Sequence, residues 1–198
     1  MVRVLAVADE QVPAMRSRAG DLRVDLVVAA GDLPWDYLEE LVSLLDVPAV
    51  YVPGNHEPPV SRAPGAAPQG ALNVDEQVLD VAGLRVAGLG GCVRYNGGDH
   101  QFTQRQYGRR ARRLVRRAGG EPVDVLVTHA PPLGLGDEPD PTHTGIDALH
   151  GVIAALRPAW HLHGHIHPHG LHKPDRQVGT TTVRNVIPWT VLDLGEAA

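Results

Sequence analysis

Acidic, amide and imidazole side chains recur along the chain at Asp9, Asp32, Asn55-His56, His129, and His165 with His167. Carboxylate and amide oxygens and neutral imidazole nitrogens all donate electron pairs, so separated segments that offer them together point to one metal site. A mixture of Asp, Asn and His is of borderline softness. It suits Mn, Fe or Zn rather than a thiophilic metal.

Each donor follows a short apolar stretch rich in β-branched residues: Val2 to Ala8, Val24 to Ala30, Val47 to Pro53, Val123 to Val127 and Pro158 to Leu162. Such runs read as buried strands. In open α/β sheets the carboxyl ends of the strands form the crevice where ligands bind, which lets residues distant in sequence meet. Gly31, Gly54 and Gly164 sit among the donors, where glycine permits sharp turns and close approach of backbone.

The blocks Gly31-Asp32, Gly54-Asn55-His56-Glu57, Thr128-His129-Ala130-Pro131-Pro132 and Gly164-His165-Ile166-His167 resemble the signatures of the calcineurin-like metallophosphoesterases, in that family's order, and the resemblance runs from Val2 to Leu194. It implies a four-layer α/β/β/α sandwich of two mixed β-sheets flanked by helices. It also implies hydrolysis of phosphate esters by metal-bound hydroxide. By the resemblance, Asp32 bridges two divalent ions, with Asn55, His129 and His165 completing one and Asp9 and His167 belonging to the other. Such a pair, about 3.5–4 Å apart, clamps a phosphoryl group and lowers the pKa of a bound water toward about 7. Manganese is favoured over iron and zinc. His56 is expected to face the scissile phosphate instead of a metal, binding substrate and protonating the leaving oxygen, with Glu57 holding its ring. Phosphorylated small molecules are the expected partners, phosphodiesters or nucleotides ahead of monoesters. A scaffold of the same fold with little or no catalysis is the competing reading.

One position departs from the family's pattern. Its usual opening, Asp-x-His, is replaced here by Asp9-Glu10-Gln11. Side chains two apart on a strand share a face, so Gln11 is expected to join Asp9 at the first metal, and a neutral amide makes that site weak. A bulge that turns Glu10 inward instead would strengthen it.

Rival chemistries lack their residues. Cysteine phosphatases place Arg six positions after the nucleophile, and after Cys92 that position is Gly98. Gly88, Gly90 and Gly91 miss the dinucleotide spacing, and no phosphate-cradling Lys motif is present. A length of 198 residues with 43% hydrophobic content and a net charge of −5 fits a single domain over residues 1–198. No apolar run approaches a membrane span, no cleavable signal pattern precedes Val2, and one Cys excludes an internal disulfide framework; a cytoplasmic location is expected.

Between the motifs, Ala14 to Arg18 reads as a helical turn. Trp35 to Leu45 and Thr103 to Ala118 read as helices, and Gln77 to Val81, Leu84 to Leu89 and two segments within Thr180 to Leu194 as strands. Pro58 to Gly70 reads as a loop at the edge of the site. Seven arginines crowd the second helix (Arg105, Arg109, Arg110, Arg112, Arg113, Arg116 and Arg117), which read as a solvated face more than a nucleic-acid surface. Arg94, in a glycine-rich loop, is the candidate phosphate anchor. Asp140 to Gly145, Thr142 included, reads as a second long loop bordering the pocket, with His143 a loop residue rather than a ligand. His161, His163, His165, His167 and His169 share one strand parity, so the strand is expected to end near His163 with Gly164 turning the chain. His163 then backs the site, while His161, His169 and His172 do not ligate.

Overall fold

In the computed structural model, which describes residues 1–57, 67–171 and 173–195, the first strand already sorts the core into layers. Along β1 (Val2–Val7) and the residue after it, Val4, Ala6 and Ala8 enter one buried cluster while Leu5 and Val7 enter another. This is the two-residue alternation of a strand buried on both faces. The strands β2 (Leu26–Ala29) and β3 (Ala49–Tyr51) lie parallel beside it, then β4 (Ala71–Asn73), with β13 (Trp189–Leu194) antiparallel on the far side of β1.

The second sheet is built in the same way. Its middle strands β6 (Leu84–Leu89), β9 (Val125–Thr128), β10 (Trp160–His163) and β12 (Thr181–Asn185) are parallel, and β5 (Val78–Val81) and β11 (Arg176–Val178) close its edges antiparallel. Val4, Val28 and Val50 of the first sheet meet Val86, Val127 and Leu162 of the second in one cluster, which is the layer between the sheets. Outside the first sheet, α1 (Met15–Leu22) and α2 (Trp35–Leu45) cover Leu5, Val27 and Tyr51. Outside the second, α3 (Gln104–Ala118) and α4 (Leu149–Leu156) cover Leu89, Leu126 and Val183. The architecture is therefore helix, mixed sheet, mixed sheet, helix. A pair of two-residue strands, β7 (Cys92–Val93) and β8 (Gln101–Phe102), frames the loop between them.

Several elements differ from the sequence expectations. The first helix continues to Leu22, α4 and β4 were not expected, and residues 58–66 of the expected edge loop, with His172, lie outside the described residues. The arginine-rich helix is anchored by charge as well as by its apolar stripe. Thr103 and Gln106 form a reciprocal cap at its start. Arg110, with a side chain only 5% exposed, reaches the Asp75 carboxylate at 2.7 Å and Glu76 at 2.7 Å, and its guanidinium lies 4.0 Å from the centroid of Phe102. Arg113 and Arg117 also bond Glu76, so part of the arginine cluster ties α3 to the turn before β5.

Register aligns the strand ends that matter. Val7 pairs with Ala29, Ala29 with Tyr51, and Thr128 with both Leu89 and His163. The carboxyl ends of β1, β2 and β3 in one sheet and of β9 and β10 in the other thus open at one edge of the sandwich. Among the described residues no helix is long and apolar enough to cross a membrane.

Candidate metal centre

Three of the donor residues leave their strands through unusual backbone. Asp9, Asp32 and His165 have φ of 63°, 56° and 67°. The left-handed region costs a non-glycine residue about 1–3 kcal/mol and persists where the surroundings over-determine it. At Asp9 and His165 the turn is closed two residues apart: Glu10 N–H donates to the Ala8 carbonyl at 2.6 Å, and Ile166 N–H to the Gly164 carbonyl at 2.8 Å. Strand alternation ends at both positions. That is why His165 leaves the face shared by His161 and His163.

Glycines let these loops close on the carboxylates. A Cβ on Gly54 would stand 1.9 Å from Asp32 Oδ1, and one on Gly164 2.3 Å from Asp9 Oδ2. On Gly31, whose φ is +93°, it would lie 2.7 Å from His129 Nδ1. Any larger side chain displaces a donor.

The donor atoms converge. Ligand atoms of Asp9, Asp32 and His129 all lie within 4.8 Å of one another. His129 Nδ1–H donates to the Ala30 carbonyl at 2.8 Å, which leaves Nε2 directed at Asn55 Oδ1, 3.1 Å away, and Asp32 Oδ2, 3.3 Å away. A backbone carbonyl fixing the far nitrogen is the arrangement of a metal-ligating histidine. His165 is fixed in the opposite sense, its Nε2–H donating to the Thr142 carbonyl at 2.9 Å, and its ring centroid lies 4.8 Å from that of His129. Its backbone N–H donates to Asp9 Oδ2 at 3.0 Å, while His167 Nε2 stands 3.7 Å from Asp9 Oδ1.

Electrostatics lead to the same conclusion. Burial pushes Asp9 up to about 6 against the pull of His129. Burial would also raise Asp32, but His129, with hydrogen bonds from Glu57 and the His56 N–H, holds it below the usual carboxylate range. Burial would lower His129, yet Asp32, Asp9 and Glu57 outweigh it and raise it to about 10. Glu57 is pushed up to about 8 by burial and by Asp32. The carboxylates around His129 thus carry surplus negative charge that binds a proton, and a divalent cation balances the same charge. His165 is lowered to about 3, first by burial and then by His129, so it is neutral, as a ligand must be. The donor set fits divalent cations.

Asp9, Asp32, Asn55, His56, His165 and His167 line one depression of about 200 Å³, with His129 buried near it. Tyr95, Thr142 and His143 complete its wall. His56 stands at the rim with its side chain 75% exposed, Nδ1 at 2.6 Å from Asp32 Oδ2 and its backbone N–H donating to Asp32 Oδ1 at 2.9 Å.

Several expected placements change. Glu57 does not hold the His56 ring. Its buried carboxyl accepts from the N–H groups of Gly54 at 2.7 Å and Leu33 at 3.3 Å, tying together the two loops that carry Asp32 and Asn55. Gln11 lies away from the depression, lining a separate small hollow with Pro13, Arg16 and Tyr37, because the turn at Asp9 reverses the parity expected of a strand. Glu10 takes the site side, its Oε1 3.1 Å from His167 Nδ1. Arg94 is exposed and donates to the Gln101 carbonyl at 3.3 Å, and its neighbour Tyr95 faces the site with Oη 3.5 Å from the Asn55 amide nitrogen. Sequence reasoning passed over Tyr95, whereas the expected loop Asp140 to Gly145 does border the depression through Thr142 and His143. In the structure Asp140 accepts from His143 Nδ1 at 2.8 Å and from the His143 N–H at 3.2 Å, bringing its ring to 5.5 Å from that of His165. His161 and His163 are buried on the far face of β10, and His163 Nδ1–H donates to the Gly164 carbonyl at 2.9 Å. Cys92 is a buried thiol that burial pushes up to about 12.

Two stacked mixed sheets whose strand ends share one carboxylate and histidine cluster define a candidate metal centre of an α/β fold. The chain belongs to the calcineurin-like phosphoesterase family, whose model matches residues 5–169. None of the curated proteins matches the sequence. Among solved structures, one superposes with a TM-score of 0.73 at 19% identity, covering 97% of this chain and 95% of the other. TT1561 of Thermus thermophilus superposes with a TM-score of 0.62 at 17% identity, covering 92% and 87%. GAP50 of Plasmodium, an anchor in the inner membrane complex, gives 0.51 at 11% identity, covering 92% and 70%. These likenesses establish the fold.

Proposed function

We propose that the chain is a metal-dependent phosphoesterase acting on small phosphodiesters or nucleotides, with monoesters the lesser substrates. The observation that carries this reading is the convergence of Asp9, Asp32 and His129 donor atoms within 4.8 Å, beside the open ring of His56. Asp32, Asn55, His129 and His165 would hold one divalent ion and Asp9 and His167 a second, with Asp32 shared; manganese is favoured over iron and zinc. Bound there, the ions supply Lewis acidity toward phosphoryl oxygens and a water acidified toward neutral pH.

The chain's own groups do the rest. Asp32 holds the Nδ1 edge of His56 at 2.6 Å, so the imidazole is oriented at the rim where a leaving oxygen departs and can donate its proton. Tyr95 Oη, 3.5 Å from the Asn55 amide nitrogen that also neighbours His56, offers a hydroxyl donor beside it. About 200 Å³ accommodates a phosphoryl group but not a whole nucleotide, since pockets for larger ligands run to roughly 300–1,000 Å³. The remainder of the substrate rests outside, against the adjoining wall of Leu33, Pro34 and Trp35. With Cys92 buried and held protonated, a cysteine nucleophile finds no support.

The test is hydrolysis of bis(p-nitrophenyl) phosphate and p-nitrophenyl phosphate with Mn²⁺, wild type beside His56→Ala. The diester should be cleaved faster, and His56→Ala should lower kcat by about 10²–10⁴-fold. A His56→Ala variant as active as wild type defeats the assigned acid. Bound metal with no hydrolysis of either ester, under Mn, Fe or Zn, supports the scaffold reading.

A further inference from the structure

The left-handed turn at Asp9 has a second effect besides aiming its own carboxylate. It carries Glu10 to the rim of the centre, where Oε1 lies 3.1 Å from Nδ1 of His167, and sends Gln11 to the hollow beside Arg16 and Tyr37. Val12 N–H donates to Tyr37 Oη at 3.2 Å and holds the chain on that course. His167 Nε2 faces Asp9 Oδ1 at 3.7 Å. A carboxylate on one ring nitrogen with the other nitrogen turned to an acidic ligand is the geometry by which proteins fix the tautomer and raise the basicity of a metal-ligating histidine.

We propose that Glu10 is a positioning residue for the metal centre: it holds His167 as the Nδ1–H tautomer, aims Nε2 at the ion beside Asp9, and compensates for the imidazole absent at position 11. Gln11 takes no part. The inference rests on the metal-centre reading above, but it is read out by metal affinity and histidine tautomer, which do not require the protein to hydrolyse anything. Both side chains are roughly half exposed, at 41% for His167 and 47% for Glu10, so truncating Glu10 leaves the core intact.

The experiment is isothermal titration of metal-free protein with Mn²⁺, comparing wild type, Glu10→Ala, Glu10→Gln and Gln11→Ala. Wild type should bind two ions per chain. Glu10→Ala should weaken one of them by about 10–100-fold, the usual cost of removing an outer partner of a ligating histidine. Glu10→Gln, whose amide oxygen still accepts from Nδ1–H, should recover part of that loss, and Gln11→Ala should match wild type. In parallel, ¹⁵N NMR of His167 in the metal-free protein should show Nδ1–H in wild type and a shift toward Nε2–H in Glu10→Ala. Weakening by Gln11→Ala with Glu10→Ala unchanged overturns the proposal, as does an unaltered His167 tautomer. Wild type that binds no Mn²⁺ overturns it together with the metal-centre reading. Two tight ions with no esterase activity would sink only the phosphoesterase reading and leave the Glu10 comparison decisive.

Discussion

Nε2 of His129 faces Oδ2 of Asp32 across 3.3 Å while Nδ1–H is committed to the Ala30 carbonyl. A proton on Nε2 balances that carboxylate in the metal-free protein, and a divalent cation held by both groups would take its place. Replacing His129 by Ala should therefore weaken Mn²⁺ binding by more than about tenfold, measured by titration calorimetry, while the circular dichroism of the fold persists. Unchanged affinity would remove His129 from the ligand set.

Glycine clearances give a second expectation. Gly164→Ala places a Cβ 2.3 Å from Asp9 Oδ2 and 2.8 Å from the Ala8 Cβ, so Asp9 must move and metal affinity should fall with it. Gly151→Ala, within α4 and with nothing inside 4 Å, should leave metal binding alone and stabilise the protein by up to about 1 kcal/mol through helix propensity. Urea denaturation and metal titration of both variants measure the contrast. Equal metal affinity in Gly164→Ala and wild type would show that the close approach is not needed.

How much of this could be seen in the sequence depends on what each placement relies on. Asp32, Asn55, His129 and His165 follow apolar runs, so strand ends located them without a structure. Gln11 failed because parity was carried past Val7, where β1 ends and Asp9 takes a φ of 63°; nothing in Asp9-Glu10-Gln11 marks that turn. Tyr95 and His143 sit on loops whose course is set by Gln101, which accepts from the Tyr95 N–H at 3.3 Å, and by Asp140, and such side-chain-to-backbone anchors have no periodicity to read. The stripe Leu149, Val152, Ile153 and Leu156 does have helical spacing, but Gly151 interrupts it and Ala148 offers no capping side chain, so α4 carried a weak signal.

The arginine cluster divides into anchored and solvent-facing members. Arg110→Ala removes the buried partner of Asp75 and Glu76 and should cost about 3–5 kcal/mol of stability, read from the urea midpoint. Arg112→Ala, exposed on the same helix, should stay within about 0.5 kcal/mol. Comparable losses in the two would mean the Arg110 pairing contributes no more than surface charge.

Burial of His161 makes stability depend on pH. Its Nε2–H donates to Thr128 Oγ1 at 2.8 Å, Nδ1 is buried without a partner, and burial followed by the charge of His163 lowers its pKa well below the ordinary value. Because the folded pKa lies below the unfolded one, the unfolded chain binds the extra proton. The neutral ring's contribution is complete above about pH 6.5 and is lost as pH falls, at up to about 1.4 kcal/mol per pH unit. His161→Leu should show a shallower fall in urea midpoint between pH 7 and pH 5 than wild type. An identical slope would mean the ring does not titrate with unfolding.

The most direct measurement of the account is diester hydrolysis by chelator-stripped protein as Mn²⁺ is returned, for wild type and Asp32→Ala. Wild type should be inactive when stripped and regain activity with added metal, and Asp32→Ala should remain inactive at every Mn²⁺ concentration. Hydrolysis that survives stripping, or that Asp32→Ala regains as fully as wild type, would contradict a metal centre organised by Asp32.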